Sequence, residues 1–275
     1  MVVMFHVGLP KTSSTFLHRN VFPHFKHIHY VKKHDFKRHE KIVEKSSHYR
    51  ILLSTEFNPH PGNKRAQQKL NRIKKNFEHI YPVIVLRKHS SWLKSKYKYY
   101  IRKHGSYTFT DFINPDNSQG AAIRKDLNFF PKIKHLEETY GRRPLVLFQE
   151  ELKNNPIDTV RVVADFMGAA FNEEDIEIST VKKSYSEHQL KWVRKFNRNY
   201  SFSPENVKPR LMKKLYKKIS QLFLHSTAYA GKVLPDPEPE NALIPKELLK
   251  QIDAEYKDDW EQCKAYAKKT RELLF

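Results

Sequence analysis

Met1-Val-Val-Met-Phe-His-Val-Gly8 runs directly into Leu9-Pro10-Lys11-Thr12-Ser13-Ser14-Thr15-Phe16-Leu17. The first half is an apolar, β-branched run ending on glycine, which predicts a buried strand over Val2–Val7. The second half carries a proline, a lysine and then four successive hydroxyl residues, so a polar loop should lead into a helix over Ser14–Val21. The free N–H groups and dipole of a helix start favour an anion, hydroxyls add donors and Lys11 adds a full charge, which together make a cradle for a phosphate-like group. The loop is not a Walker A motif, which places glycine immediately before the lysine where this chain has Pro10. The same residues taken alone also fit a hydroxyl-rich helix cap beside an exposed lysine.

Working outward, four more short apolar runs each end in a polar turn: Ile28–Val31, Ile51–Ser54, Val83–Leu86 and Leu145–Phe148. Between them lie amphipathic stretches at Asn63–His79 and Ser90–His104 and shorter ones across Gln119–Tyr140. Pro156–Gly168 has proline in its first turn, a stripe of Ile157, Val160, Val163, Ala164 and Met167, and glycine at its end. Alternating strands and helices predict an α/β fold with a central, mainly parallel sheet flanked by helices. Leu211–Leu224 and Pro245–Leu274 make the later part mostly helical, with the last helices expected to pack back on the sheet. Gly231–Glu240, with alternating prolines, reads as an exposed extended loop or, in the competing view, a linker. The expected organisation is one domain over 1–275, with an α/β core over 1–170 and a mainly helical part over 171–275.

The 275 residues include 51 Lys+Arg and 30 Asp+Glu, a net charge of +21, with 39% hydrophobic and 13% aromatic residues. That is enough apolar content for a core, which excludes general disorder, and no run is long enough to span a membrane. The opening residues read as a strand and not a secretory leader, and the single Cys263 forms no internal disulfide, so a cytoplasmic protein is expected. Residues 1–110 hold 23 Lys+Arg against 5 acids, and residues 111–275 hold 28 against 25. One part of the molecule should therefore meet something anionic: nucleic acid, an acidic membrane surface, or an acidic small molecule or polymer.

A second motif follows the fourth candidate strand, Val83-Ile-Val-Leu86-Arg87-Lys88-His89-Ser90-Ser91-Trp92-Leu93-Lys94-Ser95. An arginine at the carboxyl end of a parallel strand reaches the ligand crevice, where its fork holds a phosphate. Pro10-Lys11-Thr12-Ser13-Ser14-Thr15 resembles the P-K-[ST]-G-[ST]-[ST] loop of sulfotransferases that use 3′-phosphoadenosine 5′-phosphosulfate (PAPS), departing where Ser13 replaces glycine. If that position has positive φ, the serine is strained. Arg87 and Ser95 have the separation of the pair that binds the 3′-phosphate in that family. The strand, acidic-Leu segment and Pro-started helix over Leu145–Gly168 also look like the family's. Lys182–Ser186 sits where relatives place a loop near the nucleotide. The resemblance covers about residues 1–170, and the Gly-rich basic motif of the cytosolic small-molecule enzymes is not visible, which places the chain closer to the carbohydrate and bacterial types.

The resemblance implies a P-loop-like fold that binds PAPS and releases 3′,5′-adenosine bisphosphate without a metal. Lys11, Thr12, Ser13, Ser14, Thr15, Phe16, Arg87 and Ser95 would bind the nucleotide, and Lys11 would also stabilise the leaving phosphate. The base is expected at the end of the strand before the one bearing Arg87, where heparan-type members carry a glutamate, and Glu56 stands there. Glu56 is one of only 5 acids in the first 110 residues, and a structural salt bridge is its competing role. His60 and His34 are the reserve candidates. His24, His27 and His29 alternate with Phe and Ile as a strand edge or surface would, not as a metal site. The aromatic and basic residues of Trp92–Lys103 suit a nucleic-acid surface, although Leu93, Tyr97, Tyr100 and Ile101 share the spacing of a core stripe. The acceptor suggested by the surplus charge is the hydroxyl of an acidic glycan, with peripheral contact at an anionic membrane as a further partner and no nucleic acid. A P-loop-type kinase and a basic nucleic-acid-binding module are the rival readings.

Overall fold

The computed structural model describes residues 1–178, 185–200 and 210–274. Five strands form one wholly parallel sheet: β1 (Val2–Gly8), β2 (His29–Val31), β3 (Arg50–Glu56), β4 (His79–Leu86) and β5 (Leu145–Phe148), in the order β2-β3-β1-β4-β5. All five predicted strands are present. The near-continuous apolar sequences of β1, β3, β4 and β5 belong to strands buried on both faces, whereas the short edge strand β2 leaves His29 and Tyr30 half-buried. β4 begins four residues before the apolar run suggested, and includes Pro82. β5 joins β4 only from Val83 onward, so at Pro82 the strand is still an edge, where proline is tolerated.

Contacts divide the chain into two compact units, one comprising Met1–His89, Asp126–Val181 and Glu255–Phe275 and the other Ser90–Lys125 and Lys182–Ala254. The first contains the sheet. Alternation along the strands sends Met4, Leu52, Val83, Val85, Leu145 and Leu147 to one face, where they meet Val160, Val163 and Met167 of the helix Pro156–Met167. That helix closes on Gly168 at φ 58°. The helix Lys64–Asn76 starts on Asn63, whose side chain accepts the Ala66 N–H, and buries Ala66, Leu70 and Ile73 while its cations face solvent. The C-terminal helix Lys257–Leu274 does pack back on the sheet: Trp260 meets Phe148 edge-on at 4.9 Å, and Arg271 forks onto Glu151 at 2.7 and 2.9 Å. Cys263 is buried in this helix and its thiol is pushed well up by burial, in keeping with a packing role. The predicted Ser14–Val21 helix is a single α turn, Ser14–Phe16, followed by a π turn, Leu17–Val21.

The second unit is helical. Of the stripe expected in Trp92–Lys103, Leu93, Tyr97 and Ile101 are buried and Tyr100 is half-buried, Trp92 is buried as well, and the Tyr97 hydroxyl donates to Tyr107 O at 2.9 Å and accepts from Arg194 at 3.0 Å. The helix Glu187–Asn199, which the sequence pattern did not single out, starts on a reciprocal Ser186–Gln189 capping box. Its side chains hold the proline-rich loop, with Lys191 Nζ donating to Asp236 Oδ2 at 2.7 Å and to Glu238 O at 2.8 Å, and Trp192 Nε1 to Pro235 O at 3.0 Å. The loop is non-helical as expected and is tied down at Pro235, Asp236 and Glu238.

Candidate active site at the carboxyl edge of the sheet

The chain runs outward from β1 to β2, returns to β3 beside β1, and then crosses to β4 on the other side of β1. At such a reversal the loops at the carboxyl ends of the central strands diverge and leave a crevice. The three sequence signals meet there. Gly8 at the end of β1 pairs in register with Glu56 of β3 and with Val85 of β4, so the loop after Gly8, the Glu56 carboxylate and Arg87 leave the sheet at the same level on adjacent strands. The Phe57 amide donates to Gly8 O at 3.1 Å, and Arg87 Nη1 donates to Lys11 O at 3.3 Å, tying the loop to the strand on each side of it.

The loop has unusual backbone. Lys11 lies at φ 76° and Ser13 at φ 65°, both in the left-handed region that favours glycine. Ser13 makes no side-chain cap bond, and it is its carbonyl that meets the helix start, accepting from the Phe16 N–H at 2.9 Å. Buried Thr12 donates its hydroxyl to Leu9 O at 2.7 Å, which uses that hydroxyl to brace the turn and leaves the ligand to other donors. Ser14 is buried, and its Oγ makes no hydrogen bond. A Cβ added to Gly8 would lie 2.8 Å from this Oγ and 3.0 Å from His6 Cε1, so the missing side chain keeps open the space beside the hydroxyl. An unsatisfied buried donor next to a glycine-made gap suits an anionic oxygen. Thr15 is exposed one residue on, and Phe16 packs its ring against the core cluster.

Arg87 is half-buried, and desolvation holds its guanidinium below its ordinary value, an effect that the Glu150 carboxylate partly offsets. Glu150 follows β5 and accepts the Lys88 N–H at 3.1 Å, which fixes it beside Arg87. Glu56 is half-buried at the strand end. His60 lies four residues beyond it and accepts the Gly62 N–H at 3.1 Å, whereas the His34 side chain is 75% exposed and paired with Asp35 at 3.1 Å. Of the three candidate bases, only Glu56 sits in register with Gly8.

One polar cluster escaped sequence reasoning. Ser54 Oγ lies 2.7 Å from His6 Nδ1 and 2.6 Å from His18 Nε2, a single hydroxyl shared by two imidazoles on the sheet face that also carries Gly8 and Glu56. The available signal was a polar residue inside each of two apolar strands, placed two before Gly8 and two before Glu56. Ser95 lies half-buried on the helix His89–Ile101, in the second unit. Of the Lys182–Ser186 segment, residues 182–184 lie outside the described residues. His29 is on the edge strand and bonded to Ser46 at 2.7 Å, and among the described residues no group of three or more His, Cys, Asp or Glu is placed to hold a metal.

No family model matches this chain, and no curated protein matches it in sequence. Among solved structures it is similar to a sulfotransferase from Alicyclobacillus acidocaldarius, with a TM-score of 0.52 and 16% identity over 65% of this chain and 87% of that one. The chain has the sulfotransferase-like α/β fold, a five-stranded parallel sheet flanked by helices. It is also similar, at a TM-score of 0.41 and 16% identity over 76% of this chain and 67% of that one, to mouse sulfotransferase SULT7A1 complexed with PAP.

Proposed function

We propose that this protein is a PAPS-dependent sulfotransferase that moves a sulfuryl group to a hydroxyl of an acidic glycan. The observation that carries the reading is the convergence of the Lys11 loop, Glu56 and Arg87 at the carboxyl ends of β1, β3 and β4. In-line transfer forms a bond from the acceptor oxygen to sulfur and breaks the bond from sulfur to the 5′-phosphate oxygen. The Glu56 carboxylate takes the acceptor proton, and the Lys11 ammonium neutralises the charge that develops on the departing phosphate. The Ser14 hydroxyl, Ser13, Thr15 and the loop amides hold the phosphosulfate oxygens, and Arg87 holds the 3′-phosphate. No metal is required, since Lys11 supplies the neutralising charge.

An acidic acceptor is supported by the surface next to Glu56. Lys69 Nζ lies 4.9 Å over the ring of Phe57, and Lys64 and Arg65 are exposed at the start of the same helix. Calorimetry with 3′,5′-adenosine bisphosphate tests the assignment. The expected result is micromolar binding that Arg87→Ala weakens roughly tenfold to a hundredfold, the loss of a charge-assisted phosphate contact. Absence of binding, or equal affinity for AMP, would overturn it.

A further inference from the structure

The near-neutral balance of the later part of the chain conceals a local extreme. Between Arg210 and Pro235 there are six Lys and Arg and no Asp or Glu, whereas residues 236–275 hold ten acids. The basic stretch is the helix Arg210–Ala230 and the turn after it. One face of this helix is packed, with Ser220, Leu224 and Ala228 buried. The opposite face is apolar and open to solvent: Leu215 is 54% exposed, Ile219 41%, Leu222 66% and Tyr229 63%, and Val233 just beyond the helix is 85% exposed. Positions 215, 219, 222 and 229 fall on one stripe of a 3.6-residue helix, about 20 Å long at 1.5 Å per residue. Lys218 is exposed on its flank, and Lys232 Nζ lies 4.6 Å over the Tyr229 ring.

We propose that this face docks on an anionic lipid bilayer, with the helix lying in the headgroup plane. A helix that combines an unpartnered apolar stripe with cations and no acids has the composition of an interfacial helix, whose leucines enter the acyl boundary while its lysines meet lipid phosphates. The alternatives fit the charge less well. A second copy would set Lys218 and Lys232 of one chain against the same cations of the other, in a chain whose net charge is +21. Nucleic acid would use the cations but leave the leucines in water. No helix among the described residues is long and apolar enough to cross a membrane, so the contact is peripheral. The inference is independent of the reaction proposed above.

A labelling experiment on the full chain tests it. The one native cysteine, Cys263, is fully buried, so a cysteine introduced by Leu222→Cys takes an environment-sensitive dye selectively. The control is Lys250→Cys, at a side chain 73% exposed on the helix Lys246–Glu255. Emission from position 222 should rise and shift blue with phosphatidylcholine vesicles containing phosphatidylglycerol, and should change little with phosphatidylcholine alone or from position 250. In sedimentation, the double variant Leu215→Ser/Leu222→Ser should bind the anionic vesicles about tenfold more weakly, from partial loss of two buried leucines. Wild-type affinity in that variant would overturn the proposal and assign vesicle binding to the basic first part of the chain. A dye at 222 that stays aqueous would overturn it too, and so would a dimer that the double substitution dissociates, which would make the occupant a second copy.

Discussion

Ser13→Gly restores glycine at the position where Pro10–Thr15 departs from the loop it resembles, and the structure predicts that this stabilises the protein. Ser13 sits at φ 65°, where a residue with a Cβ is about 1–2 kcal/mol worse off than in the right-handed region. Glycine removes that strain but loses more backbone freedom on folding, roughly 0.5–1 kcal/mol. A helix-start serine normally contributes a side-chain bond that glycine lacks, but Ser13 makes none, so that loss does not enter. The net gain is about 0–1.5 kcal/mol, centred near 0.75, which for a chain of this size raises the melting temperature by roughly 1.5–3 °C at that centre. Thermal unfolding followed by circular dichroism reads this directly, with Ser13→Ala as the control. Alanine keeps the Cβ and therefore the strain, so its stability should stay within about 0.3 kcal/mol of wild type. If Ala and Gly both destabilise, the serine hydroxyl holds the loop, and the strain argument is refuted.

Glu56→Gln should retain affinity for 3′,5′-adenosine bisphosphate and lose turnover by a factor of about 10²–10⁴, the range for removal of a general base; full turnover in that variant would move the base to His60 or His34. Burial lowers the imidazole pKa of His29, with His48 adding to the effect, and likewise lowers those of His104 and His135. The unfolded chain then binds more protons than the folded one near and below pH 6.5, so unfolding takes up protons and stability falls as pH drops through that range. The melting temperature should therefore be lower at about pH 5.5 than at about pH 7.5, above the range in which carboxylates titrate, and His135→Gln should reduce the difference. A flat profile between those values would contradict the assignment.

The sheet was legible because each strand is a short apolar run cut off by a polar turn, and buried parallel strands carry that signature. The same property hid Ser54 and His6. A polar residue within an apolar run looks like noise until pairing shows that His6 and Ser54 are cross-strand partners and that His18 closes over them. Lys11, Glu56 and Arg87 were visible because they stand at strand ends, where chain order alone predicts a crevice. The bracing role of the Thr12 hydroxyl, and the seat of Glu150 beside Arg87, depend on distances across the fold that no spacing encodes. The helix Arg210–Ala230 was expected from its periodicity, but periodicity shows only that an apolar face exists. Which face the protein covers is decided by packing, and here one apolar stripe remains uncovered.

Three unfavourable features meet at the carboxyl ends of β1 and β4. The Arg87 guanidinium is partly stripped of water, the Ser14 hydroxyl is buried without a hydrogen bond, and two non-glycine residues hold left-handed backbone. Folding alone gives no reason to collect them, since each raises the energy of the empty protein. The first two have a common remedy. An anion beside Gly8 would accept from Ser14, and a second anionic group against Arg87 would favour its charged form, as Glu150 already does in part. The third has a different logic. With Lys11 at φ 76° and Ser13 at φ 65°, the loop already has this shape with no ligand bound, and in the proposed enzyme its donors would not have to be ordered as charge develops on the leaving oxygen. A structural cap would tolerate Lys11→Gly, which relieves strain, and could gain stability from it. In the proposed enzyme that substitution should likewise leave the fold intact or firmer while removing the ammonium on which transfer depends, so stability and activity should move in opposite directions.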